Sequence, residues 1–258
     1  MKNLTLPTLV ITSTPDWRAA VEAQLRAEFA IVQYTDPTGY VTRLADARAA
    51  LVLVDGQDDR WRFWTSTPKS SPATRRIPII VAADEAEIRR AALIAGADFA
   101  LTPAELVAQI AALAREMARV EDPAAVAQLE CECQESLPPL AVQGVEQFNA
   151  GEYYKQHDLF EEQWMHTDGP VRDLYRAILQ VGIAYFQITR GNHRGALKML
   201  LRSVQWLTML PDVCQGVDVR QLREDAARVR AELETMDPTA IDHFDRSLLR
   251  PVRRVDPD

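Results

Sequence analysis

Two different periodicities divide the chain. In the first 120 residues, short apolar runs rich in β-branched side chains alternate with stretches of helical spacing. Leu6 to Thr14 (LPTLVITST), Ala30 to Tyr34, Ala50 to Val54 (ALVLV), Ile77 to Ala82 (IPIIVA) and Phe99 to Leu101 read as strands. Between them, Trp17, Ala20, Val21, Leu25 and Phe29 recur at helical spacing after Pro15-Asp16. Further helices are predicted over Tyr40 to Arg48, Arg60 to Trp64, Glu85 to Ala95 and Ala104 to Arg119. Continuous apolar runs imply strands buried on both faces, hence a five-stranded, doubly wound parallel sheet of the α/β class. Such sheets bind ligands beyond the carboxyl ends of their strands.

Glu121-Asp122-Pro123 stops one helix and starts another, with Asp at the N-cap and Pro at the first helical position. A connecting helix from Ala124 to Gln134 ends at Leu137-Pro138-Pro139. From Leu140 onward every segment reads as helix: Ala141 to Asn149, Glu152 to His166, about twenty residues after Asp168-Gly169-Pro170, Arg194 to Leu210, and Val219 to Leu233. Gly151 and Gly191 stand at helix ends, where a left-handed residue is wanted. The helix holding Leu174, Ile178, Leu179, Val181, Ile183, Ala184, Tyr185, Phe186 and Ile188 is apolar all round, so it is central. Gln180 lies within that shell and requires a polar partner. Gly182 and Gly195 read as close helix–helix contacts. The pattern predicts an α/β domain over 1–120, a partly helical linker over 121–139, an all-α helical bundle over 140–236 and a tail over 237–258, loose from Arg250.

Composition changes this picture little. The chain is 47% hydrophobic and 26% charged, enough for two cores. Its net charge of −8 is uneven: residues 1–125 carry 14 basic and 16 acidic side chains, residues 126–258 carry 15 and 21. That balance argues against a nucleic-acid backbone as partner. The first residues lack the order of a signal peptide, and the longest apolar stretch, Leu174 to Ile188, is too short and too polar to span a bilayer. Three cysteines, Cys131, Cys133 and Cys214, make an odd count without a disulfide framework, which suits a reducing cytoplasm. Cys131-Glu132-Cys133 would be half of a metal or redox pair, with no second half in the sequence.

LVLVD ending at Asp55, IPIIVAAD ending at Asp84, and Ala95-Gly96-Ala97-Asp98 before the fifth strand make residues 5–119 resemble the receiver domain of bacterial response regulators. The resemblance places Asp55 at the position of that family's phosphate-accepting aspartate. It also implies signal transduction, an acidic pair after the first strand that holds Mg²⁺, a Ser or Thr after the fourth and a Lys after the fifth. Here those places read Ser13-Thr14-Pro15 with Asp16 nearby, Ala82-Ala83, and Leu101-Thr102-Pro103-Ala104. The expectation is a pseudo-receiver whose Asp55 ends a strand and is not phosphorylated.

In the second half, the Glu152–His166 helix carries Tyr153, His157, Phe160 and Trp164 in one sector, with Glu161 four residues after His157 and Tyr154 and Asp158 beside it. Three readings stay open. His157 and Glu161 bond each other and Gln180 as a polar seam between helices. Alternatively, Tyr154, His157, Glu161, Trp164, Arg172, Gln180 and Asn192 line a site for a small ligand or protein partner. Or His157 and Glu161 act in acid–base catalysis, or hold a metal together with His193. No cofactor other than such a metal is indicated. His166 and His243 read as surface residues. The segment FNAGEYYKQHDLFEEQW, with ILQVGIAYFQ and GNHRGALKML, resembles domain-of-unknown-function family 309, an all-α family of bacteria and archaea, through Phe148, Asn149, Gly151, Tyr154, His157, Glu161, Trp164, Gln180, Gly191, Asn192, Gly195 and Ala196. Asp158 stands where that family more often has Glu. The resemblance implies a fold and no activity. Two classes of function follow: a regulatory or binding protein recognising a protein or small ligand, or an enzyme using His157 and Glu161. A homodimer fits either.

Overall fold

In a computed structural model, which describes residues 6–255, the chain divides into two compact units between Val120 and Glu121.

The first unit holds five strands and five helices in strict alternation: β1 (Thr8–Thr12), α1 (Arg18–Leu25), β2 (Ala30–Tyr34), α2 (Tyr40–Asp46), β3 (Ala49–Asp55), α3 (Trp61–Ser70), β4 (Ile79–Ala82), α4 (Ala86–Ile94), β5 (Phe99–Leu101) and α5 (Pro103–Met117). All strand pairs are parallel, in the order β2-β1-β3-β4-β5. Alternate side chains build a core on each face of the sheet. Leu9, Ile11, Leu51, Leu53 and Ile80 meet Val21 and Leu25 of α1 and Leu106 and Ile110 of α5. Val10, Val52, Val54, Ile79 and Val81 meet Tyr40, Leu44, Trp64 and Ala92 of α2, α3 and α4. Each such aliphatic side chain, fully withdrawn from water, contributes about 1.5–3 kcal/mol before chain entropy is counted.

Helix α3 runs twice as far as its apolar pattern predicts. Thr65, Thr67 and Pro68 are poor helix formers and hid it, yet Trp61, Trp64, Thr65 and Pro68 are all buried at helical spacing. The Thr65 hydroxyl donates back to the Trp61 carbonyl, which lets a polar side chain sit inside. Trp64 is wholly buried, edge-on to Tyr40 at 4.8 Å between ring centroids.

The second unit contains α6 (Pro123–Glu132), α7 (Pro139–Asn149), α8 (Tyr153–Met165), α9 (Arg172–Thr189), α10 (His193–Leu207) and α11 (Val219–Thr235), with a two-stranded hairpin, β6 (Val213–Cys214) and β7 (Val217–Asp218), before α11. Helix α9 is central, packed between α8 and α10. Gly151 (φ 78°) and Gly191 (φ 72°) make the left-handed turns into α8 and α10. Gly182 permits a close helix contact: a Cβ there would run into Gln156 Nε2 on α8. Gly195 does not make the interhelical contact its sequence position suggested; its neighbour is the capping side chain of Asn192.

Three expectations fail in this unit. The first is that all of it is helical. Gln215 (φ 49°) and Gly216 (φ 71°) form a two-residue turn with both residues left-handed, the kind that joins tight hairpins. The second is that the cysteines are free. Cys133 and Cys214 are buried and joined by a disulfide, leaving only Cys131 as an exposed thiol among the described residues. The inference of a reducing compartment therefore loses its basis. The third is that the chain is loose from Arg250. Val252 is buried, and its N–H and C=O are both met by the side-chain amide of Asn149, at 2.8 and 2.9 Å. Asp218 N–H donates to Arg253 O, and Val255 N–H to Gly216 O, so residues 252–255 lie along the hairpin. Among the described residues no helix is long and apolar enough to cross a membrane.

Candidate functional site

Helix α8 presents two stripes. Gln156 and Phe160, one turn apart, are its buried pair; Phe160 packs on Gly144 of α7 and Gln156 on Gly182 of α9. Gln156 Nε2 donates to the carbonyl of Tyr153 at 2.8 Å, while its Oε1 is buried without a partner. Tyr153 joins Phe148 and Tyr185 in a triangle of rings with centroids 5.4–5.5 Å apart. These residues hold α8 in place.

The second stripe is Tyr154, His157, Glu161 and Trp164, at intervals of three and four residues. Its ends are fixed against α9: the Tyr154 ring lies 5.5 Å from Phe186, and the Trp164 ring lies under Arg172 and Arg176 at 5.4 and 4.5 Å. His157 and Glu161 therefore run beside the α9 row that contains Gln180 and Ile183. His157 is half-buried, stacked on Tyr154 with centroids 6.2 Å apart; its Nδ1 is 3.1 Å from Asp158 Oδ1 and 4.0 Å from Glu161 Oε2. Both carboxylates are exposed to solvent. The expected seam through Gln180 is not formed: Gln180 Oε1 is buried with no hydrogen-bond partner. The amide that does fill the helix interface is Gln156, which the sequence reading passed over.

Two other candidates are engaged elsewhere. His193 Nε2 is 2.7 Å from the carbonyl of Leu233, tying α10 to α11 rather than joining His157. Asn192 is the N-cap of α10, accepting from Gly195 N–H at 3.0 Å and donating to Gln187 Oε1 at 2.8 Å. Among the described residues no three His, Cys, Asp or Glu side chains come together as a metal site.

On the far side of α9 lies α10. Arg176 sits between two indoles, 4.5 Å from Trp164 and 4.2 Å from Trp206. Its Nη1 is 3.3 Å from Asp173 Oδ1; burial pushes the Asp173 carboxyl above its ordinary value, against the opposing pull of Arg176 and Arg172. Gln180 is one turn after Arg176 on α9, and Arg202 one turn before Trp206 on α10. In this antiparallel pair Gln180 and Arg202 are thereby neighbouring steps of one face. Trp164 Nε1, Arg172 Nε, Gln180 Oε1 and Arg202 Nε are all buried without hydrogen-bond partners. Arg176, Arg202 and Trp206 were not singled out from sequence. The usable signal was the spacing 172, 176, 180, which puts two arginines in line with a glutamine.

In the first unit, Asp55 ends β3 at the carboxyl edge of the sheet. Its Oδ1 accepts from Gln57 N–H at 3.0 Å, a local turn. Burial raises its pKa, as do Asp58 and Asp16, while the Gln57 bond acts in the opposite direction. Asp58 is bound by the Ser13 hydroxyl, its Oδ1 accepts from Arg60 N–H at 2.6 Å, and the Arg60 side chain stands 3.4 Å away. Burial works against ionisation there, but these bonds outweigh it and lower the pKa. The residues present do not fit the Mg²⁺ that the receiver resemblance implies. Ser13 and Thr14 replace the acidic pair, and Arg60 already neutralises Asp58. After β5, Thr102 accepts from Glu105 N–H and Glu105 reaches back, a capping box that starts α5 where a lysine was wanted.

Similarities to known proteins are distant or partial. A stretch of 92 residues, 35% of this chain, is 22% identical to a protein of Aquifex aeolicus (strain VF5) described as uncharacterized, and covers 28% of that protein's length. Residues 141–199, from α7 to the middle of α10, match the family Domain of unknown function (DUF309), and over that span the chain is similar to the family its Phe148–Trp164 segment resembles.

Proposed function

We propose that the chain is a binding protein in which a degenerate, doubly wound receiver, residues 1–120, is joined to a helical recognition module whose working surface is the α8–α9–α10 face. One observation carries the second part: four buried polar atoms on that face, Trp164 Nε1, Arg172 Nε, Gln180 Oε1 and Arg202 Nε, lack partners. Buried polar atoms in native proteins are nearly always bonded, so several unmet ones along one face mark a place where side chains would have to shift to meet a polar occupant. The residues of the family resemblance sort the same way. Phe148 and Ala196 are core, Asn149 clasps Val252, Gly151 and Gly191 make turns, and Asn192 with Gly195 caps α10. Those without such a task, Tyr154, His157, Glu161, Trp164 and Gln180, all belong to this face.

The receiver reading is supported by the parallel strand order β2-β1-β3-β4-β5 with Asp55 at the end of the central strand. Its pseudo-receiver character is supported by Ser13, Ala83 and Thr102 standing where phosphoryl chemistry needs an acid, a hydroxyl and a lysine.

The test of the recognition face is native mass spectrometry of the full chain equilibrated with a cell extract, beside Trp164→Ala and Arg176→Ala. A mass adduct retained by the wild type and lost from both variants is the expected result. No adduct, together with unchanged hydrogen exchange in α8 and α10, overturns the reading. Acetyl phosphate with Mg²⁺ should add no phosphoryl mass to Asp55; a stoichiometric, Asp55-dependent increment would refute the pseudo-receiver.

A further inference from the structure

The cysteines of the second unit differ sharply in access. Cys133 and Cys214 are joined and buried, at 4% and 0% exposure, while Cys131, two residues earlier at the end of α6, keeps an exposed thiol. We propose that the three form one thiol–disulfide exchange site, with Cys131 as its entry thiol and a dithiol as its reaction partner, and that opening the Cys133–Cys214 bond unlatches the β6–β7 hairpin and residues 252–255.

Exchange needs a thiolate in line with the S–S axis, and a bond whose two sulfurs are buried is closed to outside thiols. Cys131 is held beside it by the chain itself. Side chains two apart on a helix face different ways, so the attack waits on unwinding of the last turn of α6. That turn is held by Cys133 N–H on Leu129 O at 2.9 Å, Gln134 N–H on Cys131 O at 3.1 Å and Glu135 N–H on Glu132 O at 3.2 Å. Helix ends open more readily than helix centres. The Cys131 thiolate attacks Cys133 Sγ: the Cys131–Cys133 bond forms, the Cys133–Cys214 bond breaks, and Cys214 leaves as a thiolate that takes a proton from water. A dithiol reaches the new bond at its exposed Cys131 sulfur and then closes its own disulfide. It gives up two electrons and two protons, which leave Cys131 and Cys133 as thiols.

What the bond holds is small. Strands β6 and β7 have two residues each, too short to pair stably alone. Their turn is pinned to α6 beside the disulfide, by Gln215 N–H on Cys133 O at 2.8 Å. The hairpin in turn pins the tail: Asp218 N–H donates to Arg253 O at 3.0 Å, Val255 N–H to Gly216 O at 2.8 Å, and Val217 pairs with Arg254. Release at Cys214 therefore passes along bonded neighbours to residue 255.

Reduction of the folded full chain by dithiothreitol, without denaturant, tests the exchange, with thiols trapped at intervals and counted by mass. Wild type should open at least about tenfold faster than Cys131→Ser, both ending fully reduced. A variant that merely loosened the fold would open faster, not slower. Wild type carboxamidomethylated at Cys131 is the second comparison and should match the variant. Equal rates overturn the exchange site. Hydrogen exchange on the same samples tests the latch. After reduction the Asp218 and Val255 amides should come within about tenfold of the open-chain rate, while the centre of α9 stays protected. If those two amides instead remain as protected as central α9, opening only with the whole unit, the release is overturned.

Discussion

Reducing the disulfide between Cys133 and Cys214 frees a loop with a sequence separation of 81, running from the end of α6 through α7 to α10 and into the β6–β7 hairpin. Closing a loop of that length in the unfolded chain removes about 15 cal/mol/K of entropy, so the cross-link contributes about 4.5 kcal/mol at 25 °C in the chain-entropy account. Domains of this size are stable by about 5–15 kcal/mol, which makes the link a large share of the total. Nothing local replaces it. Gln215 N–H donates to Cys133 O at 2.8 Å, and the Tyr175 hydroxyl donates to Gln215 Oε1 at 2.7 Å, but both hold the same corner and are lost with it. All three cysteines lie beyond Val120, so the sheet unit has no part in the effect. Urea unfolding of the full chain, with and without a phosphine reductant, separates the two. At a typical slope of about 2 kcal/mol per molar urea, the helical unit's midpoint should fall by roughly 2 M while the sheet unit's stays put. Cys133→Ala with Cys214→Ala should behave as the reduced protein, and Cys131→Ala as the wild type. An unmoved helical transition on reduction, or three titratable thiols in denatured but unreduced protein, would refute the reasoning.

Gly182→Ala gains about 1 kcal/mol in helix propensity yet should destabilise the helical unit by about 1–3 kcal/mol net, because its Cβ runs into the side-chain amide of Gln156, which is fully buried and has no room to swing away. In a double-mutant cycle Gln156→Ala should recover most of that loss; additivity would show the two do not touch. Asn149→Ala leaves the buried N–H and C=O of Val252 unmet and should cost about 2–4 kcal/mol, with trypsin cutting after Arg253 as a second readout. Asp55→Asn keeps the acceptor for Gln57 N–H. Because burial raises the Asp55 pKa, the folded sheet unit holds that proton more tightly than the unfolded chain, and stability falls as pH rises from the ordinary aspartate range through the raised value. Removing the carboxyl should therefore raise the melting temperature at neutral pH and not at about pH 3, where both states are protonated. A gain of equal size at both pH values would place the cause elsewhere.

The sheet unit was legible because its signal is redundant. Each of β1, β3 and β4 is a continuous apolar run, and a parallel strand buried on both faces has no other way to read. What stayed hidden was local and of low contrast. Cys214-Gln215-Gly216-Val217 is a hairpin of two-residue strands, too short for any period, and Gln-Gly is a weaker turn signal than Asn-Gly. The Cys133–Cys214 pair is invisible to a reading that counts thiols and assumes a compartment. Residues 252–255 are held by backbone bonds and by Asn149, and nothing in Arg250-Pro251-Val252-Arg253 announces a partner 103 positions away.

The site shows the same division, and it decides how far the sequence argument reaches. Helical spacing on α8 put Tyr153, His157, Phe160 and Trp164 in one sector, whereas the structure turns Phe160 and Tyr153 to the core and leaves His157 and Trp164 on a second stripe with Tyr154 and Glu161. Gln156 and Phe160 fit a buried face as well as His157 and Trp164 do, and only Gly182, on another helix, makes room for an amide there. Arg176 was missed because an arginine in an apolar helix reads as a surface residue, whereas two indoles from neighbouring helices make it part of the packing. The difference between a polar seam and a recognition face is thus a question of which atoms remain unbonded. That is a property of three helices together, and no window along one of them contains it.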